Sequence, residues 1–332
     1  MPDPVTDFPA TGLMSGLGPT PELVGFSAAI SHVRETLARA ASGDRGVLLI
    51  AEAGADVESV ARQFHGLSRA AFAFVAVDCG ADDVDRHLFG EPEPLAPPDL
   101  ESVSADCRIA AARGGTVFLQ NIGELPAAVQ ARLARIARDG EVRIDGEPVP
   151  TGIRLVASAS SDVDADVQQH RVRGDLYRRL SAVRIDLPPL SARRGDVPVI
   201  ASRLLEDRCA ARELPRRAFT DAALALLAAL TWPGNLAELR DVVDCVAADG
   251  SDGLIQIENL LPVLRLDRAP APFKPAGELR EARLRFERDY IAAVLQHHGW
   301  QMAAAAQTLG IQRPNLYRKA RQLGIPLTRV SE

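Results

Sequence analysis

Two short stretches carry the residue types with most chemical interest. The first is Gly114-Gly115-Thr116-Val117-Phe118-Leu119-Gln120-Asn121, where a small-residue opening leads into an apolar run that ends on two amides. Such a run reads as a strand buried on both faces of a parallel sheet. In open α/β sheets the ligand sits at the carboxyl ends of the strands, and a nucleotide-hydrolysing sheet would place a carboxylate pair there to hold Mg²⁺ and polarise water. Gln120 and Asn121 keep much of the shape and hydrogen bonding of such a pair but have neither its charge nor its basicity. The second stretch is Ala51-Glu52-Ala53-Gly54-Ala55-Asp56-Val57-Glu58, which follows the apolar run 46–51. A phosphate-binding loop at this place needs glycines, so that backbone N–H groups converge on the phosphates, and a Lys to reach the outer ones. Only Gly54 is present. Asp56 puts a carboxylate near the phosphate path and Val57 stands at the Lys position, so repulsion is expected where attraction is needed.

These stretches sit in a chain of 332 residues, long enough for two or three domains, with 47% hydrophobic and 25% charged residues. That balance is globular. A net charge of −6 gives no whole-chain attraction to nucleic acid or membrane, so any such attraction must be local. Cys79, Cys107, Cys209 and Cys245 show no CxxC spacing and read as reduced thiols. The sequence carries no secretory signal and no apolar run long enough to span a bilayer.

Residues 1–22 read as a flexible leader, too short for a receiver or sensor domain. Apolar spacing predicts helices over 27–41 and 57–69, a strand over 74–78 and an exposed acidic, Pro-rich loop over 91–99. A helix over 103–112 leads to the central strand, and another runs from Pro126 to about Asp139 with Arg132, Arg135 and Arg138 on a solvated face. Asp145-Gly146 marks a hairpin, and 153–158 and 183–187 are two further strands. After Leu190 the pattern becomes purely helical, over 196–211, 219–230 and 235–248. Pro270, Pro272 and Pro275 stiffen a linker, and a last helical segment follows. From Gln301 to Glu332 the charge is +4, from Arg313, Arg318, Lys319, Arg321 and Arg329 against Glu332.

Taken in order, Leu88-Phe89-Gly90, the stretch 114–126, Arg173-Gly174-Asp175-Leu176-Tyr177-Arg178-Arg179-Leu180, Leu187-Pro188-Pro189-Leu190, Trp232-Pro233-Gly234-Asn235-Leu236-Ala237-Glu238-Leu239-Arg240 and the terminal helix-turn-helix resemble one family. It is that of the bacterial sigma-54-dependent enhancer-binding activators, an AAA+ domain plus a Fis-type DNA-binding domain, over roughly residues 23–326. The resemblance implies a parallel-sheet nucleotide-hydrolase-like domain over 23–190, a helical lid over 191–265, a linker over 266–276 and a helix-turn-helix domain over 277–332. It also sharpens the departures. The family loop GESGTGKE is AEAGADVE here, its LDE is LQN, its sensor Asn is Ser160, its second sensor Arg is Ala237, and its sigma-54-engaging GAFTGA loop is missing. Arg173 and Arg179 match the family's trans-acting arginine fingers. With Val57, Gln120, Asn121, Ser160 and Ala237 all changed, no ATPase activity, no catalytic residue and no metal site are expected. ATP is the one candidate cofactor, bound weakly at most.

In the terminal motif, residues 279–298 form an amphipathic helix which the resemblance assigns to a dimer interface. A short Ala-rich helix ends at Gly310, and a second helix starts at Gln312 with Pro314 in its first turn. The first residues of such a helix meet base edges. Arg313 suits guanine and Asn315 adenine, while Tyr317, Arg318, Lys319 and Arg321 suit phosphates and Leu316 and Leu323 the core. The expectation is a cytoplasmic, nucleoid-associated, sequence-specific regulator without ATP-driven remodelling of sigma-54 polymerase. Its partners would be double-stranded DNA, a second copy, and RNA polymerase or a related AAA+ activator, with no membrane. Two alternatives stay open: a divergent nucleotide-binding activator, and a non-catalytic subunit lending its arginines to a true AAA+ activator.

Overall fold

The computed structural model describes residues 20–91, 99–213, 215–248, 253–264, 288, 291, 295, 300, 302–309 and 312–323. The chain divides into two units, 1–265 and 266–332. Within the first, the strands are β1 (Val47–Ile50), β2 (Phe74–Asp78), β3 (Thr116–Gln120), β4 (Glu141–Ile144), β5 (Glu147–Pro150), β6 (Arg154–Ala159), β7 (Val183–Asp186), β8 (Ala218–Phe219) and β9 (Leu254–Ile255). The α-helices are α1 (Ala28–Ala41), α2 (Val57–Ser68), α3 (Val84–Phe89), α4 (Arg108–Ala111), α5 (Ala127–Asp139), α6 (Val163–Gln168), α7 (Gly174–Leu180), α8 (Val197–Ala211), α9 (Asp221–Ala229), α10 (Asn235–Ala248) and α11 (Ile257–Leu260).

Five strands form a parallel sheet in the order β2-β3-β6-β1-β7. The unbroken apolar runs Val-Leu-Leu-Ile of β1 and Val-Phe-Leu of β3 are buried throughout because both faces are covered. Val47, Leu49 and Phe118 turn into one core with Ile30, Val33 and Leu37 of α1 and Val60 and Phe64 of α2. Leu48, Ile50, Val117 and Leu119 turn into the other with Leu88, Phe89, Leu133 and Leu176. Gly140, at φ +70, terminates α5 in the left-handed conformation that glycine tolerates, and Asp145 and Gly146 at positive φ make the tight β4–β5 hairpin.

Several expectations need correction. The helix over 103–112 shrinks to α4, because the backbone upstream is drawn to the hairpin: Val103 N–H donates to Arg143 (2.9 Å) and Arg143 N–H to Glu101 (2.8 Å). Arg132 is not on a solvated face. It lies over the Phe89 ring and pairs with Asp85 at 3.0 Å and Glu101 at 2.5 Å. The region after Leu190 is not purely helical, since β8 and β9 form a two-residue parallel pair beside α8, α9 and α10. Residues 20–22, grouped with the leader above, are part of the body: Pro21–Leu23 is a 3-10 turn whose Glu22 and Leu23 are buried. Residues 1–19, most of the Pro-rich loop and the linker lie outside the described residues.

In the second unit α12 (Met302–Thr308) and α13 (Arg313–Gln322) surround a small core of Ile291, Leu295, Met302, Ala305, Ala306, Leu316 and Ala320. Most of the helix expected over 279–298 lies outside the described residues. Among those described, no helix is long and apolar enough to cross a membrane and no cluster of His, Cys, Asp and Glu suits a metal ion.

Candidate functional site

The sheet order puts β3, β6 and β1 side by side, so the residues after their carboxyl ends share one edge. Gln120, Asn121, Ser160 and the loop 51–56 all lie there. Gln120 closes β3 opposite Asp78, and its carbonyl accepts the Cys79 N–H at 3.1 Å. Asn121 takes a left-handed conformation (φ 60°), with its N–H on the Ser158 hydroxyl at 3.0 Å. Ser160 is exposed and its carbonyl starts the turn into α6.

The loop itself is engaged from three sides. From the lid, the Trp232-Pro233-Gly234-Asn235 turn lies directly on it. A Cβ added to Gly54 would collide with the Gly234 carbonyl oxygen, and Gly54 has φ +84, so backbone path and close approach both require glycine. The Asn235 amide donates to the Ala53 carbonyl at 2.9 Å while its oxygen accepts the Leu190 N–H at 3.0 Å. The Ala237 N–H, in the first turn of α10, donates to the Gly54 carbonyl at 2.9 Å. One turn further on, Arg240 pairs with Asp56 at 2.7 Å. From below, Asp56 caps α2 by accepting the Ser59 N–H. Burial pushes the Asp56 carboxyl up, yet the Arg240 guanidinium and the Ser59 contacts outweigh it and hold the group below its ordinary value. From the N-terminal side, the Glu22 carboxylate accepts the Asp56 N–H at 2.9 Å. Glu22 is itself ion-paired with Arg193, both buried. Burial raises the Glu22 carboxyl above its usual range and lowers Arg193. Val57 is 8% exposed and packs into the α1–α2 core.

Arg173 and Arg179 are not part of this edge. Arg173 caps α7 and forms a two-point pair with Asp175 (3.1 and 2.9 Å). Arg179 donates to the Ala137 carbonyl at 2.9 Å, near the end of α5, and its backbone abuts Gly46 at the amino end of β1. Sequence reasoning missed Glu22, Arg193 and Arg240. Its one available signal was Asp56, an acid placed beside buried backbone, which demands a cation nearby.

In the second unit, Gln312 precedes α13 in an extended conformation and Pro314 occupies the first turn. Leu316 and Ala320 are fully buried, which turns Arg313, Asn315, Tyr317, Arg318 and Arg321 outward, with Lys319 half-buried. The Arg313 guanidinium lies 5.8 Å from the Tyr317 ring centre, and Arg318 reaches the Asn315 side-chain oxygen at 3.5 Å.

A five-stranded parallel sheet in this order, a helical lid set on the loop after β1, and a separate helix-turn-helix define an AAA+-type domain joined to a Fis-type module. Comparison with known proteins agrees. Residues 23–186 match the Sigma-54 interaction domain, 191–274 the AAA+ ATPase lid domain and 283–323 the Fis family of bacterial regulatory proteins. The hydrogenase transcriptional regulatory protein HoxA of Cupriavidus necator is 34% identical over 310 residues, taking in 89% of this chain and 64% of HoxA. The DNA-binding transcriptional regulator NtrC of Escherichia coli is 33% identical, over 93% of this chain and 71% of NtrC. A crystal structure of NtrX from Brucella abortus in complex with ATP matches with a TM-score of 0.62 at 30% identity, covering 92% of this chain and 70% of that one. The chain belongs to the sigma-54 enhancer-binding family of bacterial transcriptional regulators. It spans less than two thirds of the length of HoxA.

Proposed function

We propose that the chain is a sequence-specific DNA-binding transcriptional regulator whose AAA+ domain is a pseudo-ATPase, and that it works without ATP-driven remodelling of sigma-54 polymerase. One observation carries the reading: the groups of the loop that would receive phosphate are already engaged by the chain. The Asp56 N–H is held by Glu22, the Asp56 carboxylate by Arg240, and the residue at the Lys position is Val57, packed in the core. A magnesium triphosphate would have to displace the Glu22 carboxylate from the Asp56 N–H, at a place that lacks the ammonium which would reach its outer phosphates. Gln120 and Asn121 supply no anionic oxygen for the metal. The residues present therefore do not fit that group. The exposed basic side chains of α13 support DNA as the partner, read by Arg313 and Asn315 and held by Arg318, Lys319 and Arg321, with a second copy of the chain on the other half-site.

The test is a fluorescent-nucleotide titration with a parallel magnesium-dependent phosphate-release assay. The expected result is no saturable binding at millimolar nucleotide and no turnover above buffer. Turnover that disappears in Gln120→Ala or Asn121→Ala would overturn the reading. The second reading, a divergent nucleotide-binding activator, is favoured by the ATP complex of the related NtrX, and saturable binding in the same titration would establish it.

A further inference from the structure

We infer that the degenerate loop is a clasp: it holds the lid closed on the sheet through protein contacts alone, with the chain's own Glu22 carboxylate in place of an anionic ligand. This rests on the reading above that the loop takes no triphosphate. Four ionic groups from four segments far apart in sequence are linked in a row. Arg193, at the start of the lid, pairs with Glu22; Glu22 holds the Asp56 N–H; and Asp56 pairs with Arg240 of α10. Each carboxylate has an arginine of its own, and the Asp56 N–H links the two pairs. Both arginines belong to the lid side of the domain, Asp56 belongs to the sheet side, and Glu22 lies in the turn Pro21–Leu23, which packs on both α2 and α8.

Backbone contacts complete the clasp. The Gly54 carbonyl accepts the Ala237 N–H, the Ala53 carbonyl accepts the Asn235 amide, and Gly54 lies against Gly234 without room for a Cβ. Asp56 serves both halves at once. Its carboxylate caps α2 and reaches Arg240, and its N–H receives Glu22. A glycine at position 56 would supply the N–H only. A lid held this way stays closed whatever the nucleotide concentration, so the domain presents one fixed conformation.

Hydrogen exchange on the full chain tests this directly at the amides of Asp56 and Ala237. In the wild type both amides exchange slowly without nucleotide, and millimolar magnesium ATP leaves them unchanged. Arg240→Ala and Asp56→Asn each raise exchange across 54–57 and 234–238 by about tenfold. Amides of β3 and β6 stay protected in both variants, which shows that the sheet is folded. Glu22→Gln, which keeps the shape, raises exchange at Asp56 by a similar factor. Unchanged exchange in Arg240→Ala and Asp56→Asn overturns the clasp, as does fast exchange at both amides in the wild type. Nucleotide binding by the wild type instead overturns the reading of the loop as unable to take triphosphate, so the two failures are told apart.

Discussion

The loop after β1 and the helix α13 both gather charge, and they use it in opposite ways. Around the loop, the two buried or half-buried acids are answered within the chain: Glu22 by Arg193, Asp56 by Arg240. Elsewhere in the same unit Arg173 is answered by Asp175, and Arg184 by Asp164 and Asp186. On α13, Arg313, Arg318 and Arg321 point outward from a helix whose opposite side holds Leu316 and Ala320. A cluster of charges is therefore no guide to a binding site until its partners are known. Where the chain supplies them, the cluster is architecture; where it turns the charges out, the partner must come from elsewhere.

The contrast can be broken by substitution. Its largest expected effect is in the body. Arg193→Ala strands a buried Glu22 carboxylate and should cost about 3–5 kcal/mol of unfolding free energy, measured by urea denaturation. A loss under ~1 kcal/mol would mean that the pair is not integral to the fold. Next comes Gly54→Ala. The positive φ alone costs about 1–2 kcal/mol, and the added Cβ pushes on Gly234, so the urea midpoint should fall while the far-UV circular-dichroism spectrum of the folded chain is unchanged.

On the outward side, Arg313→Ala should leave stability within about 0.5 kcal/mol and cost about 1–3 kcal/mol of discrimination at one base of each half-site. Selection from a randomised library reads this out, and an unchanged selected sequence would refute the assignment. Arg321→Ala should weaken every sequence alike and lower the salt slope of log Kd by about one unit. A smaller effect follows from Asp56. Its folded pKa lies below the unfolded one, so on acidification the unfolded chain takes up the proton first. The stability it contributes is complete above the ordinary aspartate value of about 4 and is lost as pH falls through the folded value. Arg240 is partly exposed, which keeps the contribution modest. Asp56→Asn should flatten that part of an acid-denaturation curve, and an unaltered curve would remove Asp56 from the ionic set.

Much of this fold was legible in the sequence because its signals are local. The apolar run in β3, the spacing of Ile30, Val33 and Leu37 and the Asp-Gly turn each act over a few residues. The ordered motifs also identified the family. The clasp was not legible. Arg240 and Asp56 are 184 positions apart, and nothing in either neighbourhood names the other. Glu22 sat in a Pro-rich stretch whose composition suggested a leader, and its burial follows only from Arg193 and the loop. Arg132 failed for a related reason: its place on the helix suggested solvent, but Phe89 and Glu101 arrive from elsewhere in the chain. The β8–β9 pair, two residues long, leaves no periodicity to detect.

The strand order also bears on how the chain is made. β2 can pair with β3 soon after both leave the ribosome, but β1 sits between β6 and β7. Val47 must wait for Val156, roughly 110 residues later, which at translation rates of about 5–20 residues per second is on the order of 5–20 s. During that interval Val47-Leu48-Leu49-Ile50 is an uncharged, β-branched-rich segment with no strand beside it. Synthesis thus passes through a stage in which an apolar strand of the future sheet has no partner, and slowing elongation before residue 156 should lower the soluble yield.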